Sequence, residues 1–425
     1  MNTANMKIHI RGKQNLSGTV RISGAKNAAL PELAATILGS SGVELHGAPL
    51  VEDVRVMIEA LRNIGACTRV DGNRIGIKIP EIKSDLVPRE IVQTSRASIL
   101  MLGPLLARHG HARISRPGGC AIGERKIDFH LEGLCQMGAQ IVEDKDHISG
   151  RVDTRLRAIH FRFPGKSVTG TENLLMAAVL ADGTTVLENC ALEPEVGDLI
   201  DLLARMGADI QGKGTGTLVV KGKTSLSGAE HWVIPDRIEM GTYVIAGGFA
   251  GNEIVVENAR PEFIGHLLDI LKRVGVKIET SGDSIRVSSG GRLYPVDVET
   301  EPFPGFATDL QAQLTTLLTQ AEGVSRITET IFDNRFKHTV ELQKMGADII
   351  IDRNTAVIRG KTALTGREIA ATDLRASAAL VLGGLIADGE TVVDNAYQLL
   401  RGYENMPQKL EQLGAEVRLV GGSHG

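Results

Sequence analysis

The sequence predicts an α/β protein of two domains, each assembled from three copies of one βαβαββ unit. Three observations predict it. An amphipathic segment ending in Gly, usually followed by Ala and a β-like run, occurs six times, at Gly65, Gly138, Gly207, Gly275, Gly346 and Gly414. By subtraction these glycines are 73, 69, 68, 71 and 68 residues apart, so six units account for nearly all of the 425 residues; regular self-similarity of this kind marks a repeat architecture. A second echo closes the array: residues 11–18, 221–228 and 359–366 share one pattern, so the amino-terminal stretch is the end of a unit whose beginning lies at the carboxyl-terminal end.

Each element has a local cause. Leu199, Leu202, Leu203 and Met206 fall on one helical face. The Gly that follows can adopt the left-handed conformation that stops a helix. Asp209-Ile210-Gln211 and Asp348-Ile349-Ile350 then begin strands, and turns such as Asp71-Gly72-Asn73 and Gly282-Asp283 return them as hairpins. Earlier in each unit stands a helix rich in small residues, for example 376–387, followed by a Gly turn and a β-branched strand, as in Asp388-Gly389-Glu390-Thr391-Val392. The sixth unit stops one strand short, and Lys7–Arg11 is expected to supply that strand. The expected domains are residues 26–234, and residues 1–25 together with 235–425.

Composition narrows the function. With 47 Lys+Arg against 51 Asp+Glu the net charge is −4, and aromatic residues are 3% of the chain, which gives neither a field nor a stacking surface for nucleic acid. The longest apolar run, near 376–387, is about half a membrane span, so no membrane insertion is expected. The first residues lack the apolar stretch of a secretory signal. Cys67, Cys120, Cys135 and Cys190 form no CxxC pair, and the eleven histidines show no metal-ligand spacing. A reduced, cytoplasmic protein without metal is expected. Cys67, Cys135 and Cys190 are expected to be small buried hydrophobes. The Gly-rich stretch 207–213 has the outline of a phosphate loop, but it lacks the final Ser or Thr and falls on a repeat hairpin.

Function is expected where the repeat is broken. Lys26 and Asn27 open the first small-residue helix, where backbone N–H groups and an ammonium suit an anion; a solvated Lys beside a helix end is the competing reading. Residues 116–130, RPGGCAIGERKIDFH, form a polar glycine loop that places Cys120 beside Arg116, Arg125 and Lys126, which favour its thiolate. Arg96, Arg335, Arg375 and Arg401 recur near helix starts in different units, and several guanidinium forks suit phosphate and carboxylate gathered from both domains. Asp309 and Asp373 each stand at a helix start, with helix capping the expectation for Asp373. A non-enzymatic repeat scaffold remains the competing class.

Taken together, ISGAKNAALPEL (22–33), SRASILMLGPLLAR (95–108), RPGGCAIGERKIDFH (116–130), TENLLMAA (171–178), PDRIEMGT (235–242), FATDLQAQ (306–313) and ATDLRASAALVL (371–382) resemble the UDP-N-acetylglucosamine 1-carboxyvinyltransferases, a family of enolpyruvyl transferases. The resemblance covers essentially the whole chain. It implies the inside-out α/β barrel fold. It also implies transfer of the enolpyruvyl group of phosphoenolpyruvate to the 3-hydroxyl of UDP-N-acetylglucosamine with release of phosphate, the first committed step of peptidoglycan synthesis. No cofactor is implied.

The resemblance also implies roles. Lys26, Arg125 and Arg401 would hold phosphoenolpyruvate, and Cys120 would protonate its methylene carbon. Asp309 would take the proton of the sugar hydroxyl or position that hydroxyl, and Asn27 would contact the sugar. Arg96, Arg125, Lys126, Ile127, Asp128, Phe129, Gly165, Lys166, Ser167, Val168 and Ile331 would line the nucleotide-sugar site, with Arg335, Asp373 and Arg375 in support. Three departures from the family pattern are Thr169-Gly170, the loop Tyr397-Gln398-Leu399-Leu400 before Arg401, and Glu124 beside the cysteine. The enzymes 3-phosphoshikimate 1-carboxyvinyltransferases share the implied fold and chemistry but lack such a cysteine loop; a catalytically silent paralogue is the remaining alternative.

Overall fold

The computed structural model describes residues 6–92, 96–115 and 127–421. Cys120, Arg125 and Lys126 lie outside the described residues, and of Arg96 only its place at the start of the 3-10 helix Arg96–Met101 is described. The chain divides into two compact units: within the described residues, one comprises 6–23 and 235–421, the other 24–92, 96–115 and 127–234.

Each unit contains three four-stranded sheets with the same internal order. In the sheet of His160–Arg162, Thr184–Glu188, Thr217–Lys221 and Asp209–Gln211, the first two strands run parallel and the others antiparallel. The parallel pair is joined through the helix Val168–Ala178, because a parallel connection needs a crossover, whereas the last two strands form a hairpin. That hairpin absorbs the phosphate-loop-like glycines, as its position in the repeat predicts.

Two sheets take their first strand from a distant part of the chain. Ser17–Arg21 pairs in parallel with Glu253–Glu257, and Ala229–Trp232 pairs in parallel with Val43–His46. The closing strand is found where the second sequence echo puts it. Lys7–Arg11 lies between Glu390–Asp394 and Val417–Val420, antiparallel to both, with Ile8 opposite Val393 and Leu419. It is an interior strand of that sheet.

The six signature glycines all have positive φ, from 95° to 112°, directly after a helix, which is the left-handed stop that Gly adopts without a Cβ clash. Strands bury alternate residues, as in the buried Ile8 and Ile10 of Lys7–Arg11, so each sheet shows one face to a core. The central helices are buried over most of their length, with the 107–109 end of one reaching the surface. In one unit these are Lys26–Ala35, Leu102–His109 and Val168–Ala178; in the other, Arg237–Gly247, Gln311–Leu318 and Leu374–Ile386. They pack on one another inside a wrapping of sheets, which is the inside-out arrangement. Small residues permit the close approach: a Cβ on Gly103 would lie 2.4 Å from Asn173 Oδ1.

Two expectations about cysteine fail. Cys67 and Cys135 are exposed, and only Cys190 of the three is buried. Cys67 opens an edge strand, Cys67–Asp71, and Cys135 lies on the outer side of Asp128–Gln136, whose buried positions are His130, Leu131, Gly133 and Leu134. Burial there is set by the face of the element.

Candidate functional site

In the unit containing residues 235–421, Asp309 is held by two arginines. Arg335 Nη2 donates to Oδ1 at 2.6 Å; Arg375 donates to Oδ2 from Nη2 at 2.8 Å and from Nε at 3.0 Å. Both arginine side chains are nearly buried, at 4% and 5% exposure, while Asp309 is 25% exposed and so is the accessible member of the cluster. Burial opposes the charge of Arg375, but Asp309 and then Tyr403 more than offset it and raise the guanidinium's proton affinity. These charge-assisted bonds, two of them from one edge of the Arg375 guanidinium, fix orientation as well as charge.

Neighbouring residues hold this cluster in place. Thr308 Oγ1 accepts from Arg335 Nη1 at 3.0 Å and donates to the buried Glu329 at 2.8 Å. The other oxygen of Glu329 accepts from the backbone of Ile331 and Phe332, at 2.9 and 3.2 Å, fixing the loop that carries Ile331. Below Asp309, Gln313 Nε2 stands 3.0–3.1 Å from the Asp309 carbonyl, Thr242 Oγ1 and Tyr403 Oη. Arg375 lies over the Tyr403 ring at 5.4 Å. Glu329 and Tyr403 escape sequence reasoning entirely; Thr242 and Gln313 sit inside quoted motifs but carry no visible role there.

Asp373 caps the helix Leu374–Ile386, accepting from the N–H groups of Arg375 and Ala376 at 3.0 Å each. Arg401 follows the short helix Tyr397–Leu400 and donates to Gln398 at 3.1 Å. His338, one turn beyond Arg335, is buried, and that burial pushes its imidazole down to about 4 against the partial support of the Asp373 charge.

In the other unit, Lys26 and Asn27 open Lys26–Ala35, and the preceding Ala25 offers no side-chain cap. The Ala25 carbonyl accepts from the Ala28 and Ala29 N–H groups, at 3.2 and 2.9 Å. Lys26 is not a solvated surface lysine: Nζ lies 3.2 Å from Asp53, with side-chain exposures of 12% and 6%. Ser167 caps Val168–Ala178 by accepting from Gly170 N at 3.1 Å. Lys166 Nζ donates to the Cys190 carbonyl at 2.8 Å, and the Phe129 ring flanks Gly165. Asp128 is exposed at the start of Asp128–Gln136, next to Ile127.

Asn173 ties these segments together. It accepts from Gly103 N at 2.7 Å, donates to the Ile99 carbonyl at 3.0 Å, and meets His130 Nδ1 at 2.8 Å. One buried amide thus fixes the Arg96–Met101 turn, the Asp128 helix and the Ser167 helix relative to one another. The TENLLMAA motif contains it, but sequence alone shows no reason for an Asn there.

The structure therefore gathers Asp309, Arg335 and Arg375 in one unit, with Asp373 and Ile331 on elements adjoining them. It joins the segments of Phe129, Gly165 and Ser167 in the other. Comparison with known proteins gives these clusters a context. The curated UDP-N-acetylglucosamine 1-carboxyvinyltransferase of Koribacter versatilis is 50% identical over 419 residues, covering 98% of this chain and 96% of its own. That of Magnetococcus marinus is 48% identical, covering 98% and 99%. The chain belongs to this family.

Residues 10–410 also match the broader profile described as EPSP synthase (3-phosphoshikimate 1-carboxyvinyltransferase). Among solved structures, the enolpyruvyl transferase NikO from Streptomyces tendae superposes with a TM-score of 0.87 at 26% identity, covering 98% of this chain and 99% of that one. An EPSP synthase from Acinetobacter baumannii superposes with a TM-score of 0.74 at 17% identity, covering 98% and 100%, and shares the fold. The carboxyvinyltransferase family is thus matched along its full length, not through one motif.

Proposed function

We infer that the protein transfers the enolpyruvyl group of phosphoenolpyruvate to the 3-hydroxyl of UDP-N-acetylglucosamine, releasing inorganic phosphate and opening peptidoglycan synthesis. The observation that carries this reading is 48–50% identity to curated UDP-N-acetylglucosamine 1-carboxyvinyltransferases across 97–98% of the chain. The 3-phosphoshikimate reading draws on the shared fold and a broad profile. No described helix is long and apolar enough to cross a membrane; together with a nucleotide-sugar substrate, this supports a cytoplasmic placement.

In the proposed addition step, the sugar 3-oxygen bonds to C2 of phosphoenolpyruvate while a proton reaches C3, turning the methylene into a methyl group. Cys120 supplies that proton, and Asp309 takes the hydroxyl proton or aims the hydroxyl. Elimination removes a proton from the methyl group, restores the C2–C3 double bond and breaks the C2–O bond to phosphate. Atoms balance without an oxidant or reductant.

Lys26, Arg125 and Arg401 would pair with the anionic groups of phosphoenolpyruvate, with Arg335, Arg375 and Asp373 in support. The guanidiniums around Asp309 suit this role because they are already ordered, so little reorganisation accompanies charge development. Asn27 would contact the sugar. Arg96, Arg125, Lys126, Ile127, Asp128, Phe129, Gly165, Lys166, Ser167, Val168 and Ile331 would line the nucleotide-sugar site.

Phosphate release is the direct test. Phosphoenolpyruvate with UDP-N-acetylglucosamine should release phosphate and add one enolpyruvyl mass to the sugar nucleotide. Phosphoenolpyruvate with shikimate 3-phosphate should release none. Turnover only with shikimate 3-phosphate, or with neither, overturns the reading.

A further inference from the structure

Glu32, Asp198 and His231 meet inside the unit that carries Lys26, yet the reaction above has no use for them. They come from the helix Lys26–Ala35, the helix Pro194–Arg205 and the strand Ala229–Trp232. Their exposures are 0%, 4% and 2%. His231 Nε2 lies 3.0 Å from Asp198 Oδ1 and 3.2 Å from Glu32 Oε1, and the three ligand atoms fall within 4.8 Å of one another.

We propose that these three side chains form a closed structural site for one divalent transition-metal ion of the zinc class, with Glu32, Asp198 and His231 as its ligands. The separations support it. Zinc bonds of about 2.0–2.1 Å in a tetrahedron place neighbouring ligand atoms about 3.3 Å apart, near the observed 3.0 and 3.2 Å. An imidazole with two carboxylates is a zinc-type donor set.

Hydrogen bonding supports it independently. Glu32 is fully buried, and apart from Asp198 and His231 themselves neither of its oxygens has a hydrogen-bond partner among the described residues. An acid so placed is costly unless something nearby satisfies it. The single hydrogen that His231 Nε2 can carry is directed at Asp198, where the contact is a hydrogen bond. A cation between the three atoms satisfies all of them at once, and a dication neutralises two carboxylates beside a neutral imidazole.

The second oxygen of Asp198 is already engaged, accepting from Ile234 N at 2.9 Å, so Asp198 would bind through one oxygen, while the second oxygen of Glu32 adds a longer fourth contact on the Glu32 side of a distorted tetrahedron. Complete burial leaves no open position for a substrate, which makes the site structural. Its effect is to staple the helix that begins with Lys26 to a second helix and a strand. The ligand positions 32, 198 and 231 match no metal motif, so only folding brings them together.

The test uses the full-length protein. It is stripped with a chelator, given excess Zn2+ or Co2+, gel-filtered and assayed by elemental analysis, with melting followed in parallel. We expect one retained ion per chain, a melting temperature that rises with zinc concentration, and the visible absorption of tetrahedral Co2+. Glu32→Gln and His231→Gln, each checked for a native circular-dichroism spectrum, should retain none. Two variants are used because one of them could fail to fold. No retained metal in the wild type overturns the proposal, leaving two bound protons as the neutralising charge. Equal retention by wild type and a folded variant also overturns it, by moving the ion to another site such as a cysteine.

Discussion

Arg375 reaches Asp309 across 66 residues of sequence, and its Nε and Nη2 close on one carboxylate oxygen at 3.0 and 2.8 Å. The paired geometry belongs to a planar guanidinium and has no equivalent in an ammonium. Arg375→Lys should therefore keep the charge but release Asp309. We expect turnover to fall at least tenfold, which is about 1.4 kcal/mol of transition-state stabilisation. Steady-state kinetics beside a melting curve check this, and turnover within twofold of wild type would show that the orientation of Asp309 does not matter.

Tyr403→Phe tests the layer beneath. It removes a hydroxyl that stands 3.0 Å from both Thr242 and Gln313, leaving buried polar groups with one partner fewer. A destabilisation of about 1–3 kcal/mol is expected. The ring beneath Arg375 is kept, so activity at low temperature should fall less than in Arg375→Lys. Denaturant titration and kinetics on the same preparation separate the two effects.

Deleting residues 1–11 removes a strand from the middle of a sheet, because Lys7–Arg11 pairs on both edges. The break separates Glu390–Asp394 from Val417–Val420 and strips Ile8 and Ile10 from the core of that unit. Loss of cooperative unfolding is the expected result. A truncated protein with an unchanged thermal transition would contradict the closure of the repeat.

His338 predicts acid lability. Its folded value is about 4, pushed down first by burial, against an ordinary 6.5. Between those values the unfolded chain binds a proton that the folded chain excludes, so stability is complete above pH 6.5 and is lost as pH falls toward 4. The full difference is worth about 3 kcal/mol. His338→Gln should flatten the dependence of stability on pH across that window. Parallel profiles for variant and wild type would remove His338 as the cause.

Thiol labelling must allow for the exposed Cys67 and Cys135. Burial pushes the Cys190 thiol up to about 11, so it should stay unlabelled. In a Cys67→Ser, Cys135→Ser background, iodoacetamide should modify Cys120 and abolish phosphate release in step with the labelling, and phosphoenolpyruvate should change the rate. Labelling of Cys120 with full retention of turnover would count against its role as proton donor.

Periodicity and turn chemistry determined the repeat, the glycine helix stops and the strand borrowed from the amino-terminal end. Each depends on interactions within a few residues or on a missing partner visible in the count. The site was legible only as candidates. Thr308-Asp309-Leu310 and Thr372-Asp373-Leu374 are the same tripeptide at two helix starts. Asp373 caps its own helix, whereas Asp309 is held by Arg335 and Arg375, 26 and 66 residues away. A cap is a local hydrogen bond that sequence can announce. A charge cluster depends on which faces the packed helices turn toward each other, and that also decided the exposure of Cys67 and Cys135 and the meeting of Glu32, Asp198 and His231.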